Sequence, residues 1–306
     1  MAEVKISMVK NDGSTFYGRS WPIEKPIANI VIVTGMEEHS GRYAHFAEFL
    51  NQQGYSVFSL DYYGQGMNVE VGGHKLGCVP ESAFRKFVYT IDELVQKLWV
   101  SSVPVYLIGH SMGSFILQDY AQRFGNHVDK IVLVGTNGPM FAVKLGYFLA
   151  RLTVWKKHYD RPSKLLSNLV FGAYQKSIKD RKNIHDWLSY NEENVHAYSE
   201  DPLCGAGSSK GFYREFFKGL NRLYRKKFLA KINPDLPILI TAGQEDPVGR
   251  HGKGIEALVK IYEKFGLRHV EHKLYPKMRH EVLNENGKEE VYNDILAFLK
   301  KEFPKE

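Results

Sequence analysis

The chain has 306 residues, enough for one large domain or two small ones around a buried core. With 43% apolar and 25% charged residues it reads as a soluble globular protein, and its formal charge of +7 reads as a solvated lysine-rich surface rather than a nucleic-acid site. Two cysteines, Cys78 and Cys204, exclude a disulfide framework or a four-thiolate zinc site. A charged opening segment and the lack of an 18-residue apolar run predict a cytoplasmic protein without secretory leader or membrane span.

Residues 4–9 and 15–20, joined across Asn11-Asp12-Gly13, predict an antiparallel hairpin at one sheet edge. The first buried strand is expected at 30–33, followed by a helix with Tyr43, Phe46, Ala47 and Leu50 on one face. A strand at 55–60 precedes a longer helix carrying Phe84, Phe87, Val88, Ile91, Leu94, Val95 and Leu98, with Ser82 as its cap. Strands at 105–108 and 131–134 come next. The alternation then stops over residues 138–228, far longer than an ordinary loop of about 4–6 residues. It resumes with strands at 238–241 and 270–275 and a final helix carrying Val291, Ile295, Phe298 and Leu299. Runs this apolar suit a parallel sheet covered on both faces. The fold class is therefore α/β, a core of residues 1–137 and 229–306 with residues 138–228 inserted as a helical cap over the strands' C-terminal ends.

Chemistry gathers after those strands. At 105–113 the strand runs into Gly109-His110-Ser111-Met112-Gly113 and then a helical pattern. A serine at such a corner is held in a strained conformation, and flanking glycines remove the collisions that side chains would cause. The new helix offers the free Met112 N–H and a dipole that favours negative charge. A serine nucleophile needs a base, and the base needs a carboxylate, in the chain order serine, acid, histidine for this fold. After the 238–241 strand, Glu245-Asp246-Pro247 offers two acids; Asp246 is preferred because it is shorter and directly precedes the proline. After the 270–275 strand, His280 lies in the required loop. His269 and His272 border or belong to that strand, His251 lies in a glycine-rich turn, and His110 is beside Ser111 rather than opposite it. No His-Glu-x-x-His or cysteine–histidine cluster suggests a metal, Gly64-Gln65-Gly66 lacks the third glycine of a dinucleotide site, and no Walker motif occurs. No cofactor is expected.

The loop after the first buried strand, where a second oxyanion donor belongs, reads Thr34-Gly35-Met36-Glu37-Glu38-His39-Ser40-Gly41-Arg42-Tyr43. Together with the serine corner it resembles the monoacylglycerol lipase and lysophospholipase branch of the α/β-hydrolases, also grouped with serine aminopeptidases. Asp61 to Gly66, Asp201 to Gly205, Gln244 to Gly249 and Arg279-His280-Glu281 resemble further stretches of that family, so the likeness spans nearly the whole chain. It implies an α/β-hydrolase fold, a Ser111, Asp246 and His280 triad, and oxyanion donors at the Met36 and Met112 N–H groups. Three positions depart from the pattern: Thr34 and Gln65 stand for histidines and Glu37 for glycine. A carboxylate at Glu37 would oppose a developing oxyanion, so it is expected to point outward or meet a cation.

The implied activity is hydrolysis of monoacylglycerol, lysophospholipid or related acyl esters through an acyl-enzyme. Thioesterase, acyltransferase and aminopeptidase activity are alternatives with the same machinery, and a non-catalytic ligand- or membrane-binding protein is an alternative of another class. At the start of the insert, Pro139 suits an early helical position, and Phe141, Leu145, Phe148, Leu149, Leu152 and Trp155 form one apolar stripe edged by Lys144 and Arg151, with Lys156, Lys157 and Arg161 beyond. Two readings follow. The stripe lies on a membrane surface, a peripheral contact, or it packs down and makes Phe141, Leu145 and Phe148 walls of the acyl site.

Overall fold

The computed structural model describes residues 3–99, 103–155 and 158–304. Eight strands form one sheet among them: β1 (Val4–Val9), β2 (Thr15–Trp21), β3 (Ala28–Val33), β4 (Tyr55–Leu60), β5 (Val105–His110), β6 (Lys130–Val134), β7 (Ile238–Gly243) and β8 (Val270–Tyr275). Their order is β1-β2-β4-β3-β5-β6-β7-β8. β1, β2 and β4 pair antiparallel, and all later neighbours are parallel. This is the α/β architecture that the alternation predicts, in the α/β-hydrolase form that the resemblance implies.

Strand periodicity explains the two cores. Val31 and Val33 of β3 join Leu107, Ile131, Leu133 and Ile240 on one face. Ile30 and Ile32 join Ile108, Val132 and Leu239 on the other. The first face is covered by α3 (Ala83–Trp99), α4 (Met112–Phe124) and α10 (Lys253–Lys264), the second by α1 (Ala44–Gln52) and α11 (Lys288–Lys300). A short α2 (Gly66–Glu70), which periodicity did not suggest, follows β4. Ser82 has φ 62 rather than the extended backbone of a capping serine.

Between β6 and β7 lie α5 (Phe141–Thr153), α6 (Lys164–Ser177), α7 (Glu192–Glu200), α8 (Lys210–Leu223) and α9 (Lys226–Leu229). Polar caps start three of them. Ser163 accepts from Leu166 N–H, Asn191 from Glu193 and Asn194, and Ser209 from Phe212. Pro139 precedes α5, whose N-cap is Met140. Among the described residues no helix is long and apolar enough to cross a membrane.

Candidate active site

Ser111 sits between β5 and α4 with φ 50 and ψ −118, a conformation that L-residues rarely adopt. The glycines around it are required. A Cβ on Gly113 would strike the Val33 carbonyl, and one on Gly109 would lie 2.7 Å from the backbone of Gly113. The Ser111 N–H is tied to the Val134 carbonyl at 2.9 Å, which fixes the corner against β6. Ser111 is half-buried, so its hydroxyl stays accessible.

His280 follows β8 and is almost wholly buried. Its Nδ1 is 3.0 Å from Asp246 Oδ2, and the other carboxylate oxygen of Asp246 accepts the Val248 N–H at 2.8 Å. With its proton on Nδ1, donated to Asp246, the ring presents a free lone pair at Nε2. That Nε2 is buried and makes no hydrogen bond, not even to Ser111, as in many free enzymes whose catalytic contacts tighten only with substrate. Glu245, the other candidate acid, instead takes the Tyr190 hydroxyl. The Trp187 ring, from the segment before α7, lies 5.2 Å from the His280 ring.

Trp187 and Ser111 both line one apolar cavity, with Met36, Met112, Val143 and Phe216 among its other walls. It encloses about 600 Å³ of empty space, open mouth included. A larger groove at the opposite, N-terminal edge of the strands holds none of these groups. Phe141, Leu145 and Phe148 do not wall the cavity: they are 82%, 45% and 57% exposed. The helix turns Val143, Gly146 and Ala150 inward because α8 lies close against it, and a Cβ on Gly146 would press the Phe217 ring. Leu152 and Trp155 share the exposed stripe, Lys144 and Arg161 are exposed as well, and Lys156 and Lys157 lie outside the described residues.

The loop after β3 runs beside the serine, since a Cβ on Gly35 would come 3.1 Å from Ser111 Cβ. On either side of Met36 the N–H groups are engaged: Gly35 donates to Glu38, and Glu37 donates to Gln65 Oε1 at 3.1 Å. Met112, as the first residue of α4, has no intrahelical acceptor for its N–H. Both proposed donors therefore border the cavity with N–H groups that secondary structure does not claim.

Glu37 corrects an expectation. Its carboxyl neither points outward nor meets a cation; it is buried and accepts from the Ser208 hydroxyl at 2.7 Å. Burial pushes its pKa up from the ordinary 4.5, against the pull of hydrogen bonds from Ser208 and the Gly207 N–H. A carboxyl held toward its neutral form does not repel an oxyanion as a carboxylate would.

Sequence reasoning missed a buried ion network behind the histidine. Arg42 donates to Glu281 through both terminal nitrogens, one contact at 2.7 Å, and to Glu38 at 3.1 Å. Glu38 also takes His110 Nδ1 at 2.9 Å and the Tyr43 hydroxyl at 2.7 Å, and Asn194 of α7 donates to Glu281 at 2.7 Å. Burial alone would raise both acids, but His110 and Arg42 outweigh it at Glu38, and Arg42 at Glu281, so both titrate low. Glu38 and Arg42 stood in the matched loop without a role. Only their charges in a loop entering the site could have signalled one.

His39, Asp201 and Cys204 bring ligand-type atoms within 4.8 Å of one another. His39 Nδ1 accepts the Gly41 N–H at 3.1 Å, which leaves the ring proton on Nε2, donated to Asp201 at 2.8 Å. The nitrogen facing the cluster thus lacks a lone pair for a metal, and the group is complete as a hydrogen-bonded pair.

Residues 24–287 match the family described as serine aminopeptidase, S33. The chain belongs to that family. It is 29% identical over 293 residues to the monoglyceride lipase of Rattus norvegicus, covering 91% of this chain and 87% of that one. It is also 24% identical over 282 residues to phospholipase YtpA of Bacillus subtilis (strain 168), covering 91% and 97%. Among solved structures, a thermostable carboxyl esterase from Bacillus coagulans, in complex with glycerol, superposes with a TM-score of 0.87 at 25% identity over 98% of each chain.

Proposed function

We propose that this protein is a serine hydrolase of acyl esters, acting on monoacylglycerols, lysophospholipids or related carboxylesters through an acyl-enzyme. One observation carries the reading: an apolar cavity is lined by a strained Ser111 and by Trp187, whose ring lies 5.2 Å from that of a buried His280 hydrogen-bonded to Asp246. Relatives that are a monoglyceride lipase and a phospholipase support the substrate class. Ser111 attacks the ester carbonyl while His280 Nε2 accepts its proton, and Asp246 stabilises the imidazolium. The Met36 and Met112 N–H groups hold the oxyanion. His280 then protonates the departing alcohol and activates a water that releases the acid. Residues 138–228 serve as the cap that shapes the acyl site, with Trp187 and α8 as its walls. The test is hydrolysis of a chain-length series of monoacylglycerols and soluble esters: the purified protein turns over several, and Ser111→Ala turns over none. Undiminished hydrolysis by Ser111→Ala would reject the assignment.

A peripheral membrane contact is the second part of the reading, favoured by the outward stripe of Phe141, Leu145, Phe148, Leu152 and Trp155 edged by Lys144. Large apolar side chains grouped on one exposed helix face mark interaction surfaces. Binding to vesicles containing anionic lipid tests it. Phe148→Asp should weaken vesicle binding and long-chain turnover while sparing a short soluble ester.

A further inference from the structure

Two departures from the family pattern meet at one loop. Gln65, wholly buried in the turn after β4, donates from Nε2 to the carbonyls of Gly35 at 3.0 Å and Glu38 at 2.8 Å. Its Oε1 accepts the Glu37 N–H at 3.1 Å. The reversed amide would set donor against donor at Glu37, so the network assigns this orientation. These bonds bracket Met36 on both sides. A neutral histidine, with one donor and one acceptor, could make at most two of the three.

From the opposite side the loop is held by α7 and by the segment between α7 and α8. The Glu37 carbonyl accepts the Gly205 N–H and the Tyr198 hydroxyl, each at 3.0 Å, and its carboxyl takes Ser208. Glu37 itself has φ 59, in the left-handed region where a glycine would rest without strain. A side chain persists there only where surrounding bonds over-determine the turn.

We infer that Gln65 and Glu37 are positioning residues for ester hydrolysis, gripping residues 35–38 from the sheet and from the cap so that the Met36 N–H is fixed beside Ser111 before substrate arrives. The inference rests on the reading of Ser111 as nucleophile and Met36 as oxyanion donor. A donor set in advance stabilises the tetrahedral state without reorganisation, so its loss falls on turnover rather than on substrate affinity.

The experiment compares Gln65→Ala, Gln65→His, Glu37→Ala and Glu37→Gln in the full chain. Read-outs are kcat and KM on a short soluble ester, melting temperature, and affinity for a trifluoromethyl ketone. Ser111 adds to that ketone's carbonyl carbon, its proton passing to His280 and the carbonyl oxygen becoming the oxyanion. Complete loss of one donor costs about 10²–10³ in turnover, so a loosened one should cost about 10–100-fold in Gln65→Ala, with ketone affinity falling in step and KM changing less than about twofold. Glu37→Ala should lose about tenfold on the same scale, and Glu37→Gln, which keeps hydrogen-bonding capacity, should recover most of it. If Gln65→Ala does not fold, Gln65→His carries the test, with a smaller loss of the same kind. Wild-type kcat and ketone affinity in the Gln65 variants, whatever their melting temperature, would overturn the inference. A wild-type protein that neither hydrolyses esters nor binds the ketone would instead overturn the underlying assignment of Ser111.

Discussion

Helices α3 and α5 carry apolar stripes of similar spacing and put them to opposite use. In α3, Phe84, Phe87, Val88, Ile91, Leu94 and Val95 are all buried in the core on one face of the sheet, Phe84 against Gly219 of α8. In α5 the large residues Phe141, Leu145, Phe148 and Leu152 face outward, and the face pressed on α8 is built of Val143, Gly146 and Ala150. Periodicity reports that a helix has two faces. Which face is inside depends on how closely the neighbour approaches, and a close helix–helix contact selects small residues. The core stripe is therefore a stability element, and the cap stripe lies exposed.

That contrast is most sharply tested where the core meets the chemistry. Asp246→Asn should keep the fold and lose about 10⁴ in turnover if the acid orients His280 as in serine proteases, whereas Glu245→Gln, whose carboxylate faces Tyr190 of the cap segment, should change little. The reverse ranking would move the acid to Glu245.

In stability the next largest effect belongs to the core stripe. Phe87→Ala leaves a buried void and should cost about 3–5 kcal/mol by denaturant unfolding. Gly146→Leu overpacks the α5–α8 contact against Phe217 and should cost about 1–3 kcal/mol. Phe148→Ala, more than half exposed, should stay within about 0.5 kcal/mol. A large cost at Phe148 would mean that the cap stripe is packed after all.

A smaller effect separates the two regions by pH. Glu281 titrates low in the fold because the gain from Arg42 exceeds the cost of burial, so its stabilisation is present above the ordinary value of 4.5 and lost as pH falls below it. Glu281→Gln should be less stable than wild type near neutrality and lose less on acidification. Glu37, against the cap, has the opposite sign: its raised pKa gives stability in acid that is lost as pH rises through the folded value. Its titratable neighbours are the phenols of Tyr198 and Tyr213, both pushed up by burial, and neither charges in that window. Glu37→Gln should therefore gain on wild type as pH rises, which melting temperatures between about pH 4 and 8 would measure.

These effects also mark what a sequence can reveal. The central parallel strands were legible because a strand buried on both faces must be continuously apolar, as Ile30 to Val33 of β3 are, and β4 and the half-buried edge strand β8 match their expected spans. The places of Ser111, Asp246 and His280 after β5, β7 and β8 were legible because backbone geometry at a strand end confines the choice. The direction of the α5 stripe was not legible, since nothing local says that α8 will lie against Gly146. Nor were Trp187 and Gln65. Trp187 reaches His280 from 93 residues away in sequence, and the partners of Gln65 are backbone groups, which leave no trace in side-chain patterns.

The most direct test of the central claim is covalent labelling with a fluorophosphonate followed by peptide mass mapping. An activated hydroxyl beside an oxyanion hole attacks phosphorus as it attacks an ester carbon. The account predicts one label per chain, on Ser111, lost in Ser111→Ala and slowed in Asp246→Asn. A folded protein that takes no label, or takes it on another residue at an undiminished rate when Ser111 is replaced, would contradict it.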